Sequence, residues 1–241
     1  MNRTFISGLQ TGIPIFIGYF PAAVAFGLVA RSAGLLLGDT VLFSMTTFAG
    51  ASQFFAVDLL RSGALLIEIT IGVLLVNLRH VLFSASLYQK LTPTGSLQKA
   101  AVAFGNTDEV FSVASTRTGR VTPAFMAGLE IPAWSGWVSG SAVGFMVGSV
   151  LPPDVQVSVG ITLYAMFTTL LIQEVKRQYR YLGIAALSGL LNTAAVTVLG
   201  ISPGWGFIVS ITLAGAVGTA VLPDESAEAV HEMTEEHAHD A

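Results

Sequence analysis

Cysteine is absent from the 241 residues, which excludes disulfides, thiol nucleophiles, iron–sulfur clusters and Cys-ligated zinc. Charge is nearly as scarce: 11% of residues are Asp, Glu, Lys or Arg, where a soluble domain carries about a quarter. Histidine outside the C-terminal tail is confined to His80. No Walker loop, GxSxG elbow or HExxH pair occurs, so nothing points to ATP hydrolysis or protease chemistry. Without a nucleophile–base or metal constellation the chain does not read as an enzyme, and no cofactor is expected. The tail spacing His231-x5-His237-x-His239 is that of histidines scattered in an acid-rich segment, and no metal site is read there.

Apolar sequence is what fills the space. Hydrophobic residues make up 53% of the chain and the mean hydropathy is +0.71. Long apolar runs occupy 12–30, 40–60, 64–88, 98–115, 123–150, 155–175, 181–200 and 205–222. Crossing a bilayer takes roughly 20 such residues as a helix. Because lipid offers backbone groups no hydrogen-bond partner, each run must close its own bonds, and the runs are too long and too continuously apolar for barrel strands. The fold class expected is all-α, a polytopic transmembrane helix bundle of about seven to eight segments. The first is expected to be broken at its glycines and prolines (Gly12, Pro14, Gly18, Pro21, Gly27), the fourth at Gly105, Asn106, Asp108 and Glu109.

The net charge of −4 conceals an asymmetry, since residues 223–241 hold seven of the fifteen acids. Residues 1–222 therefore read as the membrane domain and 223–241 as an acidic, disordered cytoplasmic tail. The N-terminus has one Arg and no small-residue cleavage site, so the first span is expected to be retained. If all eight segments cross with the N-terminus inside, Arg3, Arg61, Arg117, Arg120, Lys176, Arg177 and Arg180 collect on the cytoplasmic side. Arg31, Lys90 and Lys99 fall outside. That bias favours eight crossings of the cell membrane with both termini cytoplasmic. Ile13-Pro14-x-x-x-Gly18-Tyr19 also recurs as Ile131-Pro132-x-x-x-Gly136-Trp137, which would suit a parallel repeat.

Polar residues inside the apolar runs are the candidate site. Discontinuous helices bind substrates in carriers, and Pro21 belongs to the breaker-rich first run, whose freed amides could face a carboxylate; a kinked packing helix explains the same residues. Gly50 and Ser52 let another backbone come close, Gln53 needs a hydrogen-bond partner in a low-dielectric setting, and Phe54 and Phe55 offer an apolar wall. Asn77, Arg79 and His80 lie within hydrocarbon, where a charge costs roughly 3 kcal/mol and normally faces protein or water. Arg79 needs an acid. Glu68 is a helix-length away, so Asp108 and Glu109 are the better partners. His80 could carry a coupling proton or hydrogen-bond between helices. An intramembrane set of this kind suits a carrier of small amino acids, and it also suits a non-transporting scaffold whose charges pair for structure or a carrier of another small solute.

Phe48-Ala49-Gly50-Ala51-Ser52-Gln53-Phe54, then Val76-Asn77-Leu78-Arg79-His80, then Thr107-Asp108-Glu109, in this order and spacing, resembles the AzlC-type branched-chain amino acid permeases. Gly18-x-x-Pro21-x-x-x-x-Phe26-Gly27 is similar to that family's first-span motif. The likeness covers roughly residues 10–175. It implies an exporter of leucine, isoleucine and valine, with methionine a further candidate, driven by the proton-motive force and working with a separate small AzlD-type membrane subunit. The chain departs from the family pattern in its acidic tail and between Pro123 and Trp137, where Ala124-Phe125 replaces an aromatic pair.

Overall fold

A computed structural model describes residues 2–148, 167–169, 171–172, 174–176 and 178–221. Among them regular structure is helical apart from one isolated bridge between Leu91 and Val121, as lipid requires. Three of the described helices are long and apolar enough to cross a membrane: Arg3–Ser32, Leu66–Lys90 and Pro203–Val221. The chain divides into two compact units, 1–168 and 169–241, each described by itself.

The first unit contains α1 (Asn2–Ser32), α2 (Leu37–Thr46), α3 (Gly50–Arg61), α4 (Leu66–Lys90), α5 (Ser96–Gly105), α6 (Asp108–Thr116) and α7 (Pro123–Val147). Its spine is the α1–α7 pair. On α7 a small residue or proline recurs every fourth position at Gly128, Pro132, Gly136, Gly140 and Gly144, forming one stripe along the helix. Side chains at these glycines would strike Phe5, Phe16, Phe20 and Val24 in turn. Both helices therefore advance in the same direction, backbone against backbone, which is how membrane helices associate without a hydrophobic driving force between them.

The expected break in the first segment is absent: α1 is continuous through Pro14 and Pro21. Both prolines lie on the exposed side of α1, while the opposite side is clamped along α7, so the lost amide donors do not part the helix. The second segment is broken instead, between Thr46 and Gly50, and the fourth is broken as expected, between Gly105 and Asp108.

Neither broken segment crosses the unit, which corrects the expectation of eight crossings. Val121 N–H donates to Lys90 O at 3.0 Å and Thr92 N–H to Val121 O at 2.9 Å, so α4 ends where α7 begins. Being parallel to α7, α1 begins at that end too and finishes at the other, from which α4 starts. The α2–α3 segment leaves from the end of α1 and delivers the chain to the start of α4, entering and returning at one face. Gly72 of α4 lies against Phe55 and Leu59 while Ser52 reaches Asn77, so α3 runs antiparallel to α4 from mid-depth outward. From the opposite face, α5 descends and α6 climbs back beside α4, with Asp108 at Arg79, Phe111 on Phe83 and Arg117 O accepting from Lys90 Nζ at 2.5 Å.

The two hairpins are alike in detail. Each first half has ten residues. Each tip is closed by a bond across two residues, Ala49 N–H to Thr47 O at 2.8 Å and Thr107 N–H to Gly105 O at 3.0 Å. The second halves run into Arg61-Ser62-Gly63 and Arg117-Thr118-Gly119, and both glycines have φ of +76°, where any side chain is strained. Thus α1–α3 and α4–α6 are two copies of one motif inserted from opposite ends. The Ile-Pro echo has another origin: Tyr19 and Trp137 are neighbours, with ring centroids 5.6 Å apart, on parallel helices packed together.

In the second unit, α8 (Arg180–Thr197) and α9 (Pro203–Val221) are antiparallel, with Gly206 against Asn192 and Val196 and Gly218 against Ile184. Gly200, at φ +67°, makes the turn between them. The tail 223–241 and most of the segment 155–175 lie outside the described residues.

Candidate functional site

The two hairpin tips meet at Tyr19, near the middle of α1. Its ring lies edge-on to Phe48 of the first tip at 6.0 Å and to Trp137 of α7 at 5.6 Å. Its hydroxyl donates to Thr107 Oγ1 of the second tip at 2.8 Å and also contacts the Glu109 carboxylate. One side chain thus touches both hairpins.

Beneath the first tip is a buried polar chain. Trp137 Nε1–H donates to Gln53 Oε1 at 2.5 Å, Gln53 Nε2 donates to Ser44 Oγ at 3.4 Å, and Ser44 Oγ–H donates to Ser141 Oγ at 2.8 Å. Ser141 Oγ–H passes on to Trp137 O at 2.8 Å. Gln53 has no exposed surface, and this network is the partner that its burial demands. Gly50 is required because the Trp137 ring occupies the space of a side chain there. Ser52 donates to Asn77 Oδ1 at 2.6 Å and so ties the start of α3 to mid-α4.

Two residues further along α4, Arg79 Nη1 pairs with Asp108 Oδ1 at 3.0 Å, the two side chains being 29% and 31% exposed within this unit. The ion pair expected from the sequence is therefore formed, and it holds the start of α6. Arg79 Nε is buried without a hydrogen bond, leaving one guanidinium donor unused. Beside the pair, Phe83 stacks on Phe111 with centroids 4.7 Å apart. His80 faces Phe83 at 6.1 Å, and its Nε2 is buried without a hydrogen bond.

Eight of the ten residues singled out in the sequence surround the tips: Gly50, Ser52, Gln53, Asn77, Arg79, His80, Asp108 and Glu109. Two do not. Pro21 is exposed on the outer side of α1, and Phe54 is core, fully buried with its ring 5.5 Å from Phe26. Nor are amides of the first segment available for a carboxylate, since α1 is unbroken. Mid-depth helix starts are supplied instead by α3 and α6, neither of which has a side-chain cap bond at its first residue. The amide end of α3 favours negative charge, whereas that of α6 is already met by Asp108 and Glu109 in its first turn. Sequence reasoning noted Tyr19 and Trp137 only as members of the Ile-Pro echo and missed the Phe83–Phe111 pair, whose only sequence signal is being aromatic.

The sequence profile described as "AzlC protein" matches residues 14–151, more than half of the chain and the whole span of both hairpins. The chain belongs to the AzlC family. The inner membrane protein YgaZ of Escherichia coli is 36% identical over 208 residues, 83% of this chain and 84% of that protein. A membrane protein of Archaeoglobus fulgidus is 37% identical over 209 residues, covering 82% and 90% respectively. The Bacillus subtilis "branched-chain amino acid transport protein AzlC" is 28% identical over 233 residues, 93% and 88% of the two chains. No solved structure matches. AzlC-family membership makes this a membrane protein of a transport family, and the three motifs that resembled the family fall on the two tips and on the α4 segment between them.

Proposed function

We propose that the chain exports branched-chain amino acids, with methionine as a further substrate, across the cell membrane, driven by the proton-motive force and assisted by a small AzlD-type subunit. The observation that carries this reading is the convergence of two inverted hairpins on Tyr19, with the Arg79–Asp108 pair beside them. Broken helices with irregular backbone at mid-depth are the hallmark of substrate sites in carriers built from inverted repeats. A zwitterion needs a donor set for its carboxylate, which the partly exposed Arg79 guanidinium and the first turn of α3 supply. Its ammonium needs carboxylates, here Asp108 and Glu109. An aliphatic side chain needs an apolar wall, and the Phe83–Phe111 stack is next to the pair.

Orientation follows from charge. The end of the first unit at which α1 begins carries Arg3, Lys90, Lys99, Arg117 and Arg120; the other end carries Arg31 and Arg61. The positive-inside rule puts the first end in the cytoplasm. The α5–α6 hairpin then opens inward and α2–α3 outward.

Efflux of leucine from cells loaded with a leucine-containing dipeptide tests the reading, with and without this chain and its neighbouring small membrane protein. Faster efflux that needs both is expected. Removing one partner of a charged hydrogen bond costs about 1.5–3 kcal/mol, so Arg79→Ala and Asp108→Asn should each slow efflux about 10- to 100-fold. A scaffold would also contain the Arg79–Asp108 pair, and exchanging the two charges separates the readings. A scaffold keeps its assembly after the swap, whereas the carrier loses transport. Wild-type efflux in both single variants would overturn the site.

A further inference from the structure

We infer that Glu130 is the group that binds the coupling proton, reached from the end of the unit where α1 and α7 begin. The inference rests on the reading above, that the chain is a proton-driven carrier. Glu130 sits on α7, 8% exposed, and its Oε1 is buried without a hydrogen bond. It was not among the residues singled out from the sequence. A carboxylate taken out of water without a donor is costly, whereas the protonated acid is tolerated far better. In this arrangement the protonated form of Glu130 is favoured, and fuller hydration of the carboxyl group favours ionisation.

The surroundings of Glu130 include the tip of the second hairpin, which joins that hairpin to α1. The carboxyl group fills the place that a side chain on Gly105 would occupy, flush against the last residue of α5. The next two residues, Asn106 and Thr107, are the tip at which the hairpin turns, and Thr107 accepts the Tyr19 hydroxyl. Shifting α5 to hydrate Glu130 would thus disturb the contact that joins the hairpin to α1. In the other direction, protonating Glu130 lets Gly105 close down on it.

Proton access comes from a cavity of about 450 Å³ lined by Phe5 of α1, Gln98 and Val102 of α5, and Pro123, Ala127 and Glu130 of α7. Phe5, Gln98 and Pro123 stand near the ends of their helices, and Glu130 is the deepest of the α7 residues. Charged groups on the elements packed around Glu130 are engaged elsewhere or lie at helix ends. Lys99 donates to Tyr88 at 3.0 Å, Asp108 pairs with Arg79, and Glu109 contacts Tyr19. Arg31 bonds Phe145 O at the far end, Arg117 lies over Phe125, and Arg3 is exposed in the first turn of α1. Among these, none is placed to neutralise the carboxylate.

The test uses the full chain, with its small subunit if efflux needs it, in proteoliposomes. Two assays are compared: leucine accumulation driven by a pH gradient, and leucine counterflow without one. Glu130→Gln should lose gradient-driven accumulation and keep counterflow, because a permanently neutral side chain lets the hairpins move but carries no proton. Retained gradient drive in Glu130→Gln overturns the proposal, as does its loss in His80→Gln alone. Dicyclohexylcarbodiimide, which modifies protonated carboxyl groups in apolar settings, gives a readout on the wild-type chain that is independent of transport. An adduct at Glu130 that fades as pH rises is expected, and no adduct at any pH sinks the assignment even if Glu130→Gln fails to fold. Wild-type liposomes that neither accumulate nor exchange leucine would overturn the carrier reading instead, with the labelling still deciding Glu130.

Discussion

Single polar atoms decide what the tips can do. Gln53 is tolerated in a fully buried position because Trp137 donates to it, and Trp137→Phe removes that donor together with the part of the indole that fills the space at Gly50. Leaving a buried acceptor unpaired costs about 1–3 kcal/mol. A lower melting temperature in detergent is expected, with Trp134→Phe a milder control because its indole bonds Met45 O at a longer 3.3 Å. An equal loss in both would mean that the Gln53 network is not what the indole supports. Tyr19→Phe is the complementary change: it keeps the ring contacts to Phe48 and Trp137 and removes only the hydroxyl that reaches the second tip. Efflux should change while stability drops by no more than the about 1 kcal/mol of one hydrogen bond, and unaltered efflux would dismiss Tyr19 as the link between tips. The Arg79–Asp108 pair was legible in the sequence because a charge in hydrocarbon must find a partner, and the chain offers few. Tyr19 was not, since a tyrosine in an apolar helix satisfies lipid-facing, interfacial and buried positions equally well.

At the scale of elements, breaks and packing are set by different residues. Proline density pointed to α1 as the discontinuous helix, yet Pro14 and Pro21 face outward and the helix, packed along α7, is continuous through them. The breaks that occur contain no proline at all: Thr47-Phe48-Ala49 and Asn106-Thr107. They form because two hairpin segments entering from opposite ends meet at mid-depth and turn back, a long-range cause that local propensity does not encode. In the fourth segment the polar residues themselves gave the break away; in the second only small residues marked it. The α1–α7 stripe predicts a graded effect of bulk. Gly144→Leu would drive a side chain into the Val24 backbone, and overpacking of this kind costs about 1–3 kcal/mol or more. Gly18→Ala, where the space is open, should be neutral or slightly stabilising in the same helix. Thermal unfolding of both variants checks it, and equal destabilisation would mean that α1 and α7 do not meet along that stripe.

For the whole molecule, the inverted pair of hairpins changes which loops share a side of the membrane. The eight-crossing expectation placed the loop after α1 and the loop after α3 on opposite faces; the observed fold places them on one, and places the loops flanking α5–α6 together on the other. Within residues 1–168 the basic residues agree with this division better than with eight crossings, because Lys90 and Lys99 join Arg3, Arg117 and Arg120 while only Arg61 moves to the other face. Absence of native cysteine makes the distinction easy to measure. Single cysteines introduced as Leu36→Cys, Ser62→Cys, Ser96→Cys and Thr118→Cys all fall at exposed positions outside helix interiors. In intact cells an impermeant maleimide should label Leu36→Cys and Ser62→Cys, while Ser96→Cys and Thr118→Cys react only after the membrane is opened. Labelling of Leu36→Cys and Ser62→Cys from opposite sides would restore the crossing topology, remove the meeting of the tips at Tyr19, and with it the geometric basis for a two-sided carrier.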